Sequence, residues 1–344
     1  MTYHTGCDAH KNFCIMHHMD NDGAHGLHQN VPTDRQSINN FLNQLDEPTT
    51  MTVEAGCNWW FLYNIFCEHR MVSDVTIVDP ARSKKAADIL SLLSGYGRAS
   101  NDDIDSEMLA VMRKRNLITS ITIPTEQQLE IRTINRCRFD AVHASVQDKN
   151  RIASLLTFYG FSISSKEAVT ESDCFLTVKQ QLPEYCVFVI DQLRSSILLA
   201  DKHTEMCQNR LEKLLPLSDK NMKILLSAPG IGPVFARTIL SEIFDISYFS
   251  APKSLINYAG LAPIKKQSTD KKKAKIKLTR HCNYYVKYAL ISAANSARNH
   301  PKYRRKYEQD VRKRGKMIAK LNLARRLTKA IYWMLTRQEL FAWK

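Results

Sequence analysis

The sequence predicts an α/β domain built on a mixed sheet and followed by an all-α remainder, and three observations predict it. Short runs that alternate apolar and polar residues, separated by turn signals, fill the start of the chain. From Gln127 onward, apolar residues recur at helical intervals instead. Charge divides along the same line: the 344-residue chain carries a net +15, but Lys253 to the end holds 25 Lys and Arg against 4 Asp and Glu, so everything before it is mildly acidic. A basic portion joined to an acidic one suits a polyanion bound by one part and chemistry performed by the other.

Taken in order, the pattern predicts a strand from Tyr3 to Asp8, a turn at Ala9-His10, a second strand from Phe13 to His18, and a third from Ala24 to Gln29 after the hairpin signal Asn21-Asp22-Gly23. Thr33-x-x-Gln36 reads as a capping box, and Ile38, Phe41, Leu42 and Leu45 then mark one face of a helix. A fourth strand, Thr49 to Ala55, ends at Glu54, and a helix with Trp59, Phe61, Leu62, Ile65 and Phe66 follows. Val75 to Val78 is a fifth strand, stopped by Asp79-Pro80, and a helix from about Ala81 to Leu93 leads through Gly95-Tyr96-Gly97 to a last, acidic helix capped by Asn101. Three strands, then helix, strand, helix, strand and helix is the element order of the ribonuclease H-like fold, in which the first strand lies centrally, the fourth lies beside it and the last helix crosses the same end.

That arrangement brings Asp8, Glu54, Asp102 and Asp105 to one spot. Asp102 and Asp105 stand three apart on one helical face, where acids also suit the positive end of the dipole. Four carboxylates there suit two Mg²⁺ ions, hard cations that favour oxygen and that can activate a nucleophile and stabilise the leaving oxygen of a phosphodiester. Asp103 points about 100° away on the helix, and Asp79 serves the turn before Pro80.

Nine cysteines scattered from Cys7 to Cys282 form no Cys-x-x-Cys pair. Cys7-x-x-His10 and Cys14-x-x-His17 have zinc-ligand types, but they fall on adjacent strands whose alternate side chains face opposite ways. No apolar run is long enough to cross a bilayer, and Met-Thr-Tyr-His-Thr lacks the features of a signal peptide, so the expected location is the cytoplasm, with no membrane partner and reduced thiols.

The remainder divides at about 125 and 219, giving three regions: 1–125, 126–219 and 220–344. Gln127 to Leu156 and Leu176 to Leu215 read as two long helices joined by a loop with Ser162, Ser164, Ser165 and Lys166. They form either an antiparallel arm or coiled coil without a compact core of its own, or a bundle packed on the first domain. Ala228-Pro229-Gly230-Ile231-Gly232-Pro233 between two helical faces is a helix-hairpin-helix, whose Gly230 and Gly232 turn backbone N–H groups toward a phosphate. Its alternative is a tight corner that touches no nucleic acid.

Further cations, Lys265, Lys266, Lys271, Lys272 and Lys273, surround Ser268, and they lower the cost of a nearby phosphate and of a developing alkoxide. Arg280, Asn283, Tyr284, Tyr285 and Lys287 open a helix whose donors and rings can follow a backbone and stack on bases. The run Arg298 to Arg314, with Arg304 and Arg305, reads as phosphate contacts, and Lys316 to Arg337 as a final helix.

The motifs Gly6-Cys7-Asp8-Ala9-His10-Lys11, Val53-Glu54-Ala55, Asp102-Asp103-Ile104-Asp105, Pro229-Gly230-Ile231-Gly232-Pro233 and Tyr258-Ala259-Gly260-Leu261-Ala262-Pro263 with Gln267-Ser268 are carried by nearly the whole chain. In them the chain resembles the bacterial insertion-sequence transposases that pair an N-terminal RuvC-like DEDD domain with a C-terminal serine transposase domain, a family that includes pilin-gene invertases and bridge-RNA-guided recombinases. The resemblance implies that Asp8, Glu54, Asp102 and Asp105 hold Mg²⁺ and that Ser268 attacks DNA to give a covalent phosphoserine. It also implies a homodimer or homotetramer whose active sites combine domains of different subunits. It further implies element ends and target as DNA partners, a non-coding guide RNA that selects them, and a cytoplasmic, nucleoid-associated location in a bacterium. The chain departs from the family at Ser100-Asn101, at Thr269, which becomes a minor rival nucleophile, and at Thr279-Arg280-His281-Cys282-Asn283. Two alternatives are a junction-resolving Mg²⁺ nuclease without a serine intermediate and a nucleic-acid-binding protein that has lost catalysis.

Overall fold

Alternation of small, β-branched and sulfur-bearing residues makes the first two strands, β1 (Tyr3–Ala9) and β2 (Phe13–Met19), and β3 (His25–Pro32) returns from the turn that the hairpin signal marked. There Asp20 accepts from the N–H groups of Asp22 and Ala24, and Gly23 takes the left-handed φ of +88°. The computed structural model describes residues 3–80, 83–84, 102–118, 120–266, 275–279 and 282–342. They fall into two units, Met1–Ile123 and Pro124–Lys344, each with its own core.

In the first unit α1 (Arg35–Leu42), β4 (Thr49–Glu54), α2 (Trp59–Glu68), β5 (Val72–Val78) and α3 (Asp102–Lys114) complete the set. The five strands lie in the order β3-β2-β1-β4-β5, with β1 central, antiparallel to β2 and parallel to β4. A mixed sheet with helices on both faces is the ribonuclease H-like plan expected from the sequence. Cys7, Met16, Met51, Val53 and Ile77 point from one face into a core with Ile38, Phe41, Leu62 and Phe66 of α1 and α2. The opposite face carries α3, whose Leu109 and Met112 pack on Val78.

The first cap is corrected. Asp34, not Thr33, caps α1, accepting from the Ser37 N–H at 2.8 Å. Thr33 is held by the turn between β1 and β2 instead, its N–H on the Asn12 carbonyl and its hydroxyl on that of His10, so the helix starts later. The expected helix 81–93, the Gly95-Tyr96-Gly97 loop and the Asn101 cap lie outside the described residues, apart from a helical turn at Pro80, Ser83 and Lys84.

The second unit opens with α4 (Glu126–Phe158), begun by a Thr125/Gln128 capping box. Short α5 (Ser165–Val169) and α6 (Asp173–Lys179) lead to α7 (Glu184–Leu214), which returns antiparallel to α4 through Asp148–Ser196, Ser145–Asp201 and Glu130–Arg210 contacts. Two expectations are corrected here. The serine loop is largely helical, because Ser164 and Glu167 form a capping box and Ser172 caps α6. These two turns bring Ala168, Phe175 and Val178 against Ile152, Leu156, Cys186 and Ile190, so the outer end of the helix pair has a core of its own.

The rest consists of α8 (Lys220–Leu226), α9 (Pro233–Ile243), α10 (Pro252–Tyr258), the hairpin strands β6 (Pro263–Lys266) and β7 (Lys275–Leu278), and α11 (Tyr284–Ala297), α12 (Pro301–Arg314) and α13 (Lys316–Arg337). Alanines 289, 293, 294, 297 and 324, with Leu290, Leu323, Leu327 and Ile331, let these helices approach closely around one core.

Candidate active site and nucleic-acid interface

The acidic site is built on the parallel pair of β1 and β4. Cys7 is in register with Val53, so Asp8 and Glu54 follow one step later at neighbouring strand ends, and strand alternation turns both to the face opposite the Cys7–Val53 core. That is the face α3 covers. It sits there because β1 has glycine at position 6: a Cβ on Gly6 would lie 1.9 Å from the Ser106 carbonyl oxygen and 2.8 Å from the Ala110 nitrogen.

The direction of α3 follows from its other end. Arg113 pairs with Asp74 near the start of β5, and Lys114 Nζ lies near Gly23, in the turn that adjoins the start of β1. The N-terminal turn of α3, with Asp102 and Asp105, therefore extends toward the strand ends that carry Asp8 and Glu54. Asp105 is exposed, and the side chains of Asp102 and Asp103 lie outside the described residues. Among the described residues no three His, Cys, Asp or Glu side chains gather closely enough to hold one ion.

Two neighbours orient the strand-end carboxylates. Ser83, buried in the turn after Pro80, donates its hydroxyl to Glu54 Oε2 at 2.7 Å. His10 Nε2 lies 3.3 Å from Asp8 Oδ2 while its ring packs on Phe13. Ser83 escaped the sequence reading because nothing local marks a serine in a helical turn as a partner of Glu54, 29 residues earlier. The Asp79 carbonyl accepts from the Ser83 N–H in the turn after β5. Two adjacent carboxylates with an acidic helix start beside them are hard oxygen donors, and their chemistry fits Mg²⁺.

The zinc pattern does not converge. Cys7 and Cys14 are wholly buried in the core on one face, whereas His17 is in register with Gly6 on the other. The hydrogen bond between the two thiols, with burial, raises the Cys7 pKa, and the same bond lowers that of Cys14.

In the second unit the residues expected to meet nucleic acid fare differently from one another. Gly232 begins α9 with open space around it. Gly230, at φ +82°, is instead a packing glycine: a Cβ there would lie 2.2 Å from the Ala293 carbonyl oxygen. Arg304 and Arg305 are exposed on α12, and Lys287 is half-buried with Nζ 3.8 Å from Cys282 Sγ. Asn283 is turned inward: its Oδ1 caps α11 through the Val286 N–H, and its Nδ2 donates to Glu242 and Tyr258. Lys265 and Lys266 lie on β6, though their side chains are outside the described residues, as are Ser268, Thr269, Lys271, Lys272, Lys273 and Arg280 altogether.

The sheet order and the paired strand-end acids beneath an acidic helix are compatible with the ribonuclease H-like domains of DEDD transposases. Comparison with known proteins gives the family. Residues 5–161 match the DEDD_Tnp_IS110 model, described as "Transposase", and residues 222–309 match Transposase_20, "Transposase IS116/IS110/IS902 family". With these two domains in this order, the chain belongs to the IS110/IS116/IS902 family of transposases.

Its curated relatives include the transposase for insertion sequence element IS1328 of Yersinia enterocolitica, 24% identical over 56% of this chain and 58% of that protein. Another is the transposase for insertion sequence element IS1111A of Coxiella burnetii, 22% identical over 70% of this chain and 68% of that one. A third is the insertion element IS116 uncharacterized 44.8 kDa protein of Streptomyces clavuligerus, 28% identical over 36% of this chain and 31% of that protein. The matched regions thus span from 31% to 68% of these relatives' lengths. Among the described residues no helix is long and apolar enough to cross a membrane.

Proposed function

We propose that this protein cuts and rejoins DNA at the ends of an insertion sequence and at its target, through a covalent phosphoserine at Ser268. The observation that carries the catalytic half is the placement of Asp8 and Glu54 at adjacent ends of β1 and β4, with the first turn of α3 directed to the same place. Asp8, Glu54, Asp102 and Asp105 would hold two Mg²⁺ ions, which when bound polarise the phosphodiester and stabilise charge on the oxygens that attack and leave. Ser83 fixes the rotamer of Glu54, and His10 supports Asp8. The Ser268 oxygen replaces one sugar oxygen on phosphorus. The bond energy is kept in the phosphoserine until another sugar hydroxyl attacks it and restores the DNA.

Lys265, Lys266, Lys271, Lys272, Lys273, Arg280, Lys287, Arg304 and Arg305, together with the start of α9 at Gly232, neutralise and hold the DNA backbone. A non-coding RNA encoded by the element selects the two sites. The working form is a homodimer or homotetramer in which the acidic domain of one subunit meets the serine domain of another. Apolar residues exposed on α7 at multiples of a heptad, Tyr185, Leu199 and Met206, supply a face for pairing with a second copy.

The test is incubation of the protein, purified with its co-expressed RNA, with element-end DNA and Mg²⁺, followed by mapping of any protein–DNA adduct. An adduct at Ser268 that disappears in Asp8→Ala is expected. Cleavage that survives Ser268→Ala would make the protein a metal nuclease without a serine intermediate. Cleavage that survives Asp8→Ala would remove the metal site from the mechanism.

A further inference from the structure

A buried polar cluster in the second unit takes no part in the chemistry described so far. Glu242, near the end of α9, has a side chain with no solvent exposure. Arg136 of α4 grips it with Nε on Oε1 and Nη2 on Oε2, each at 2.8 Å, and Asn283 Nδ2 adds a bond to Oε2 at 2.7 Å. Arg132, one turn before Arg136, lies 3.4 Å from Oε2, donates to the Glu242 carbonyl at 2.9 Å, and rests 3.8 Å over the Phe244 ring. Phe244 has φ +55°, a costly backbone for an aromatic residue and one that its surroundings must hold in place. The Tyr258 hydroxyl donates to the Glu242 carbonyl at 2.9 Å and accepts from Asn283 at 2.9 Å. Burial raises the Tyr258 pKa, so it stays a donor.

Burying a carboxylate between guanidiniums is a poor way to add stability, since apolar residues of the same volume often do as well. What such a cluster supplies is geometry, and here the geometry converges on one stretch of chain. Tyr258 is the last residue of α10 before the segment with β6 and β7, and Asn283 caps α11, the next helix after it. The Asn283 N–H bonds the Tyr258 carbonyl at 2.8 Å. Gly260 takes φ +62°, and a Cβ there would lie 2.5 Å from Cys282, so the outgoing and returning chains touch. The Leu261 carbonyl accepts from Arg325 Nε at 2.6 Å. Ser268 lies in the chain between these fixed ends.

We propose that Glu242, Tyr258 and Asn283 are positioning residues that tie the root of the serine-bearing segment to helix α4, and so set the direction in which the Ser268 hydroxyl is presented. This rests on the reading of Ser268 as the nucleophile.

The test separates positioning from plain stability. Asn283→Ser keeps an oxygen to cap α11 but removes the amide donor to Glu242 and Tyr258. Tyr258→Phe removes only the hydroxyl. The full chain, with its co-expressed RNA, is assayed on element-end DNA at a temperature where circular dichroism shows each variant folded. Both variants are expected to slow single-turnover adduct formation by about tenfold or more, because small misplacements of a reacting group are that expensive. DNA affinity should stay within about twofold of the parent protein. The combined variant should be little slower than the worse single one, as for residues acting as one unit.

Adduct formation at the parent rate in Asn283→Ser would overturn the proposal, because a cap alone would then account for Asn283. Affinity and rate falling together would overturn it as well. If the parent protein forms no adduct while Ser268→Ala still cuts DNA, the serine reading itself fails, and this inference falls with it.

Discussion

Carboxylates are housed in opposite ways in the two units. Asp8 and Glu54 stand next to each other at strand ends, with an imidazole and a hydroxyl as neighbours and an acidic helix start directed toward them. Glu242 is sealed from water and gripped by a bidentate guanidinium and an amide. Like charges set side by side raise each other's energy, whereas a carboxylate met by Arg136 and Arg132 is neutralised within the fold. The contrast separates two uses of acid: Glu242 completes an architecture, and the strand-end pair, on the function proposed above, awaits a cation.

The largest expected effect tests that separation directly. Arg136→Ala leaves the buried Glu242 carboxylate with only the more distant Arg132 charge and the Asn283 amide, and loss of one partner of a buried pair costs about 3–5 kcal/mol. The unfolding midpoint of the second unit in urea should fall accordingly. Asp8→Asn removes a charge from a repelling neighbourhood, so the first unit should be unchanged or more stable, by up to about 1 kcal/mol, while Mg²⁺-dependent strand cleavage is lost. A drop in stability for Asp8→Asn comparable to that for Arg136→Ala would erase the distinction.

The two regions also differed in how far they could be read from sequence. The sheet was legible because its signals are local: Asn21-Asp22-Gly23 forces a hairpin, and Glu54 and Val78 each close a short strand. Once that order is known, the neighbourhood of Asp8 and Glu54 follows from register alone. The Glu242 cluster was illegible because its partners are remote, Arg136 lying 106 residues before it and Asn283 41 after, and no periodicity links them. Asn283 consequently read as a nucleic-acid contact when its amide is spent inside the protein. Thr33 misled for a different reason: a capping box was visible in the sequence, but the turn between β1 and β2 had already claimed its hydroxyl.

The next effect concerns how the acidic helix is seated. Gly6→Ala puts a methyl group where only 1.9 Å separates it from the Ser106 carbonyl, and backbone cannot step aside as a side chain can. Shifting α3 should cost about 1–3 kcal/mol, as overpacking usually does. The movement also draws Asp102 and Asp105 away from the strand ends, so the Mg²⁺ concentration needed for half-maximal cleavage should rise even where the variant is folded. An unchanged Mg²⁺ requirement would mean that the position of α3 is not coupled to the metal site.

The smallest effect is a slope rather than a loss of fold, and it arises at the far end of the same helix. His4 and His18 are buried in the first unit, and burial lowers both pKa values below the ordinary 6.5. For His4, the cations Arg113 and Lys114 at the C-terminal end of α3 push the same way, against a hydrogen bond to Asn21. A histidine depressed in the folded state binds protons more readily when unfolded, so its contribution is whole above about pH 6.5 and declines as the pH falls below that value. The urea midpoint of the first unit should therefore drop between pH 7 and pH 5. In His4→Gln, whose amide can still meet Thr50 and Asn21, the drop should be shallower. A first-unit midpoint that is flat between pH 7 and pH 5 would show that these two histidines take up protons in the folded state as easily as in the open chain, and that the basic end of α3 has no electrostatic influence on the sheet beneath it.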